Sequence, residues 1–306
     1  MKSFFLKLAL FVAVITAIMA FVLGKYGGYV DYYYPKVASP KQTSLIIGDS
    51  KPMQGIQPSV INDYFKADKS YQMPILNYAF TVFQAAYGEH YFRSIRRKVD
   101  PDTKNGLFIL SVSPFEMSKH PEDDEQKHKF FEQDQLPHNM WNPNGAPNFE
   151  YLVKNYDSFH FKAIFRRLSK THDDGWMQED NIPTDAKSLE KLKLEKIVNY
   201  EKTALKYEPS GYRLESFDSL VDYLSKRGKV VLVRMPQQDK ITEIETKFWP
   251  VFNQHMNDIA KNRKALYFDF SVNSKYDSYD GVHLGNESGA IFTKDLCDSI
   301  KKYGAR

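Results

Sequence analysis

Thr43-Ser44-Leu45-Ile46-Ile47-Gly48-Asp49-Ser50 is the stretch from which the fold can be read. Its apolar, β-branched middle suits a strand buried on both faces, and Gly-Asp-Ser turns the chain at the strand's end. In an open α/β sheet the C-terminal tips of the strands are where chemistry is kept. Near the far end of the chain stands Asp280-Gly281-Val282-His283-Leu284, just before the last helical pattern. Ser50, Asp280 and His283 offer a nucleophile, an orienting carboxylate and a general base, in the chain order Ser, Asp, His. Their spacing lets the Asp280 carboxylate grip one imidazole nitrogen while the other faces Ser50, with Gly281 easing the backbone between. Ser50 would also serve as a helix N-cap, and His283 as a satisfied core histidine. Asp49 reads as structural, accepting from backbone N–H groups of the turn.

Strand-like runs occupy residues 43–48, 106–112, 229–234 and 265–270, with 74–79 a weaker fifth. Between them lie helical patterns. Residues 58–65 open with a proline suited to the first helical position, and 83–98 end in Arg93, Arg96, Arg97 and Lys98. Residues 212–227 run into Gly228, and 248–262 and 287–302 complete the series. This alternation predicts an α/β fold, a three-layer α/β/α sandwich with a mostly parallel sheet. Residues 115–210 break the rhythm: they are polar, carry Pro121, Pro137, Pro143, Pro147 and Pro183, and show one good helix near 187–205. Such a length is better read as an insertion than as a loop, leaving the C-terminal edge of the sheet where it could roof the site.

Residues 4–24 are apolar except for Lys7. A membrane span needs roughly 17–25 such residues, whereas a cleaved signal peptide prefers an apolar stretch of about 7–15. Ile18-Met19-Ala20 also lacks the first small residue of a cleavage site, so an uncleaved anchor over residues 1–25 is expected. A linker over 26–42 and a body over 43–306 would follow. Lys2 and Lys7 favour a cytoplasmic N-terminus and an extracytoplasmic (periplasmic or cell-surface) body, while Lys25 and Lys36 pull the other way. The linker tyrosines (Tyr26, Tyr29, Tyr32, Tyr33, Tyr34) suit either the bilayer interface or packing on the body.

The chain of 306 residues balances 42 basic against 38 acidic residues, a net charge of +4 that argues against a nucleic-acid partner. The single cysteine, Cys297, forms no intrachain disulfide and falls on the apolar face of the last helix. His120, His128, His138, His160 and His172 crowd into the insertion without a ligand-like spacing, so no metal is expected and they read as surface or partner-facing residues. Glu116 and the acidic run at 122–125 read as solvated. Arg234, leaving a core strand, suits either an anionic or carbonyl substrate group or a structural ion pair. No glycine-rich phosphate loop is present, and no cofactor is expected.

The Gly48-Asp49-Ser50 turn and the Asp280-x-x-His283 pair resemble the SGNH/GDSL hydrolase superfamily. With the apolar N-terminal segment, the chain is similar to its membrane-anchored cell-envelope members, those of teichoic-acid D-alanyl transfer and alginate O-acetylation. The likeness covers the anchor and about residues 43–116 and 228–300. It implies an SGNH/flavodoxin-like fold, acyl-ester hydrolysis or O-acyl transfer on a cell-envelope polysaccharide or glycopolymer, and a multi-span membrane acyltransferase as partner. Two motifs depart from the family's pattern. Leu76-Asn77-Tyr78-Ala79-Phe80-Thr81-Val82 lacks the family's glycine, and the third strand ends in Ser113-Pro114 instead of asparagine. By resemblance, then, the Thr81 or Val82 N–H and the Ser113 hydroxyl are the oxyanion donors; losing one such donor costs about 2.7–4 kcal/mol. The alternative is a weakly active or non-enzymatic module of the same fold. It would bind polysaccharide or scaffold a membrane acyltransferase or secretion complex, through insertion aromatics such as Trp141 and Trp176.

Overall fold

Five parallel strands build the centre of the computed structural model, which describes residues 2–155, 157–272 and 275–304. They are β1 (Ser44–Ile47), β2 (Ile75–Asn77), β3 (Gly106–Ser111), β4 (Gly228–Arg234) and β5 (Leu266–Asp269), in the order β2-β1-β3-β4-β5. Side chains alternate across the sheet with a period of two, which divides the core. Leu45, Ile47, Phe108, Leu110, Val230 and Leu232 face one layer; Ile46, Leu107, Ile109, Val231 and Val233 face the other.

The principal helices are α1 (Lys2–Tyr26), α2 (Ser50–Gly55), α3 (Pro58–Phe65), α4 (Glu89–Lys98) and α5 (Ala186–Ala204). They continue as α6 (Gly211–Ser225), α7 (Asp239–Phe248), α8 (Phe252–Arg263) and α9 (Asn286–Gly304). Tyr91 and Ile95 of α4, Phe217 and Leu224 of α6, and Met256 of α8 cover the first face. Ile61 of α3 and Phe292, Leu296 and Cys297 of α9 cover the second. The predicted three-layer α/β/α architecture is therefore the observed one.

Two helical boundaries differ from the sequence expectation. Residues 83–88 are not helical; Tyr87 instead donates its N–H to the Glu116 carbonyl, and α4 starts after Gly88. The expected helix over 248–262 begins only at Phe252, and Phe248 instead ends α7, a helix not expected from the sequence. Pro250 bars its predecessor from helical geometry, so Trp249 takes φ −136° and ψ 82°, ending α7 before α8 begins.

Residues 26–42 pack on the body instead of hanging free. The Asp31 carboxylate accepts from the Tyr33 and Tyr34 N–H groups and the Tyr151 hydroxyl, and Val37 is fully buried beneath. Tyr33 packs on Phe80 and Tyr34 on Tyr151. Among the described residues α1 alone is long and apolar enough to cross a membrane, with a mean hydropathy of 2.6 over its best window. A membrane anchor and a signal sequence both fit that description.

The insertion is more ordered than its composition suggested. Asp123 and Glu132 clamp the fully buried Arg213, at 2.6 and 2.9 Å, so the acidic run is only partly solvated. Glu116 is buried, not solvated. Nor are the insertion histidines uniformly superficial. His160 is buried against Asp31 at 2.9 Å, and His138 meets the Gln84 carbonyl at 2.7 Å. Burial pushes the His138 imidazole down to about 3, with the Gln84 carbonyl only partly opposing it. No group of three or more metal-ligating side chains occurs among the described residues.

Candidate active site

The order β2-β1-β3 means that the chain leaves β1 in one direction and returns on its other side. That reversal opens a crevice at the C-terminal ends of β1 and β3, the place where open α/β sheets bind ligands. Gly48 turns the chain there. Its φ is +141°, and a Cβ would lie 2.7 Å from Ser111 Cβ and 2.9 Å from Pro52 Cγ. Only glycine fits this corner without displacing β3 or α2.

Asp49, not Ser50, caps α2: its Oδ1 accepts the Lys51 N–H at 2.8 Å. The Ser50 hydroxyl is thereby left to another partner, and it lies 2.8 Å from His283 Nε2. His283 Nδ1 lies 2.8 Å from Asp280 Oδ2. An ionised carboxylate only accepts, so Nδ1 carries the proton and Nε2 is the nitrogen that takes one from Ser50. The Val282 and His283 N–H groups donate to Asp280 Oδ1 at 3.1 and 2.9 Å, folding residues 280–283 into a tight turn. Gly281 makes that turn feasible at φ +96°, where a Cβ would meet Gln238 Oε1 at 2.8 Å. The three residues singled out from the sequence are brought together at hydrogen-bonding distance.

Three further groups support this relay. Lys196 of α5 reaches Asp280 Oδ2 at 2.9 Å. Burial disfavours the Asp280 charge, but the hydrogen bond and charge of His283 and the Lys196 ammonium outweigh it and hold the carboxyl well below the usual range. Tyr279 stacks on the His283 ring with centroids 5.9 Å apart and donates its hydroxyl to Gln54 Oε1 at 2.8 Å. Beneath the turn, Lys51 is buried 3.8 Å from Asp49 Oδ2. Burial works against its charge, yet Asp49, Tyr200, Glu245 and Glu116 hold the ammonium above its usual range. Burial and the Asp49 carboxylate drive Glu116 the other way, well above the usual carboxyl range, against the pull of Lys51.

Of the expected oxyanion donors, Thr81 and Val82 stand at the rim and Ser113 is buried. Phe80 donates its N–H to the Gly48 carbonyl at 3.0 Å, so Thr81 and Val82 follow directly beside the Ser50 turn. The Thr81 hydroxyl is bonded to Gln84 Oε1, and Val82 is exposed. Ser113 is buried just past β3, among the groups that face Glu116. Asn77 ends β2, and its Nδ2 donates to the Pro52 and Ile56 carbonyls at 2.8 and 3.0 Å. It anchors α2 from inside.

Arg234 is a correction. Its guanidinium donates to Glu245 Oε2 at 2.8 Å and Asn253 Oδ1 at 3.0 Å, with Asp269 at 3.7 Å. A buried cation needs such partners, and these hold both terminal nitrogens of the guanidinium inside the protein, away from a substrate group. The ion-pair alternative is the one adopted.

Lys196, Tyr279 and Lys51 escaped the sequence reading. Tyr279 and Lys51 adjoin the motifs, which is the only signal either carried. Lys196 had none, because its partner is 84 positions away across the roof of the site.

No protein-family model and no curated protein matches this chain. Among solved structures it is similar to a carbohydrate acetylesterase from Sinorhizobium meliloti, at 10% identity and a TM-score of 0.41 over 85% of this chain and 98% of that one. It is also similar to the native aryl esterase of M. smegmatis, at 11% identity and a TM-score of 0.40 over the same shares.

Proposed function

We propose that this protein is a membrane-anchored, extracytoplasmic serine acyl-ester hydrolase or O-acyltransferase of the SGNH type, acting on an esterified cell-envelope glycopolymer. The observation that carries the reading is the unbroken relay from Ser50 through His283 to Asp280, with both links at 2.8 Å. Ser50 Oγ attacks the acyl carbonyl while His283 Nε2 takes its proton. The tetrahedral intermediate collapses as His283 returns that proton to the leaving alkoxide. Water or a sugar hydroxyl, deprotonated by the same nitrogen, then attacks the acyl-enzyme and frees Ser50. The Ser50 N–H, with groups near Thr81 and Ser113, would stabilise the oxyanion. Asp280 holds the imidazole in the required tautomer throughout.

The acceptor and the anchoring rest on the sequence resemblance and on the apolar length of α1. A multi-span acyltransferase partner rests on the resemblance alone. The test is labelling of the detergent-solubilised chain with a fluorophosphonate, followed by peptide mapping. A single adduct on Ser50, absent from Ser50→Ala, is expected. No adduct on folded protein, together with no turnover of p-nitrophenyl acetate, would favour the non-enzymatic polysaccharide-binding module instead.

A further inference from the structure

The insertion carries an apolar surface that the site does not use. Phe149, Val153, Ile164, Phe165 and Leu168 stand exposed, Val153 and Phe165 at 86% and 85%. Large apolar side chains left exposed within so short a stretch of chain mark an interaction surface. Their place in the fold says which one. The short helix Ser158–Ile164 packs against the C-terminal part of α1. A cleft of about 730 Å³ runs between α1 and the body, lined by Thr16, Ala20 and Leu23 on one side and Pro147, Phe149 and Leu152 on the other.

Charge follows the same plan. Residues 158–170 hold Lys162, Arg166, Arg167 and Lys170 and no carboxylate. Arg167 lies over the rings of Tyr26 and Tyr29, at 4.3 and 4.9 Å, and Arg166 over Tyr32 at 5.8 Å. Tyrosines and cations collected at the end of an apolar helix define the headgroup level of a bilayer. Thr16 is then about 15 Å deeper, at 1.5 Å per residue, so the cleft reaches into the acyl chains.

We infer that residues 149–155 and 158–170 form a lipid-seated foot. Its apolar side chains lie in the acyl region beside α1, and Lys162, Arg166, Arg167 and Lys170 lie on anionic lipid phosphates; Lys154 is paired with Glu150. The occupant of this surface is the bilayer itself, and the foot fixes the height and tilt of the Ser50 crevice above it. The inference rests on the reading of α1 as a membrane span, and goes beyond it by embedding part of the body. Basic, apolar segments of this kind bind interfaces through buried area together with attraction to anionic lipid.

The test uses the full chain in vesicles of phosphatidylcholine and phosphatidylglycerol containing doxyl-labelled lipid. Single variants Val153→Cys and Phe165→Cys carry an environment-sensitive fluorophore, with Phe11→Cys as the reference in α1 and Leu205→Cys as the reference outside. Quenching at 153 and 165 comparable to that at 11, and none at 205, is expected. Omitting phosphatidylglycerol, or adding Lys162→Glu with Arg166→Glu, should reduce the quenching at 165. Quenching at 11 without quenching at 153 and 165 overturns the foot and leaves the span intact. No quenching at 11 removes the span and the foot with it. A photo-crosslinker at 165 that captures a polytopic protein and no lipid in native membranes also overturns it.

Discussion

Lys196 donates to the same carboxylate oxygen, Asp280 Oδ2, that receives His283 Nδ1. The two donors come from opposite ends of the architecture, Lys196 from the insertion and His283 from the loop before α9. A helix that roofs the site is thus tied to the residue that orients the base.

Lys196→Met should therefore lower turnover without abolishing it. A partly exposed ion pair contributes about 0.2–1 kcal/mol, so a loss of less than about tenfold is expected. Lys196→Arg should recover most of it. Steady-state hydrolysis of a soluble ester measures both, and an unchanged rate in the Met variant would detach the roof from the mechanism.

The relay predicts a graded series. Ser50→Ala and His283→Ala should each abolish turnover, because the two act as a unit, while Asp280→Asn should keep somewhat more. Ser50 stands at a partly open turn, so its hydroxyl can be deleted without a core cavity, and stability should change by no more than about 1 kcal/mol. Full complementation of a deletion strain by Ser50→Ala at normal expression would end the enzyme reading.

Gly48→Ala tests the corner that aims the nucleophile. The new methyl would meet Ser111 and Pro52 below 3.0 Å at a φ that L residues avoid. Overpacking of that kind costs typically about 1–3 kcal/mol. Thermal melting should report a loss in that range. The loss of esterase turnover should exceed what the unfolded fraction explains, since Ser50 is displaced from His283.

Two buried lysines set a pH dependence of stability. Burial pushes Lys36 down to about 7, with only Asp174 opposing it, and burial likewise pushes Lys98 down to about 7. Lys36 Nζ donates to the Asn77 carbonyl at 2.9 Å, and Lys98 Nζ to the Ser39 and Pro143 carbonyls at 2.6 and 2.8 Å. An unfolded lysine titrates near about 10.4, so between pH 7 and 10 the unfolded chain binds protons that the folded chain does not. Stability should rise with pH across that window, by up to about 1.4 kcal/mol per unit for each group. The double variant Lys36→Met, Lys98→Met should melt with a flatter pH dependence. An unchanged slope would show that neither ammonium is neutralised on folding.

Much of the architecture could be read locally. The runs at residues 43–48 and 106–112 are continuous and β-branched because their strands are buried on both faces, and a fully buried parallel sheet leaves that signature in consecutive residues. Gly48 and Gly281 announced their turns because a positive φ is a local demand. Ser50, Asp280 and His283 were legible for a similar reason: each motif is a short segment whose geometry its own residues impose. Tertiary packing decided the rest. Glu116 looks like any solvated carboxylate in sequence, yet the strand ends enclose it. Arg234 offered two roles, and the arrival of Glu245 from α7 and Asp269 from β5 selected the ion pair. Lys196 acquired its partner only when α5 crossed the crevice. Burial and long-range charge pairing depend on which segments meet, and for a polar insertion no local periodicity encodes that meeting.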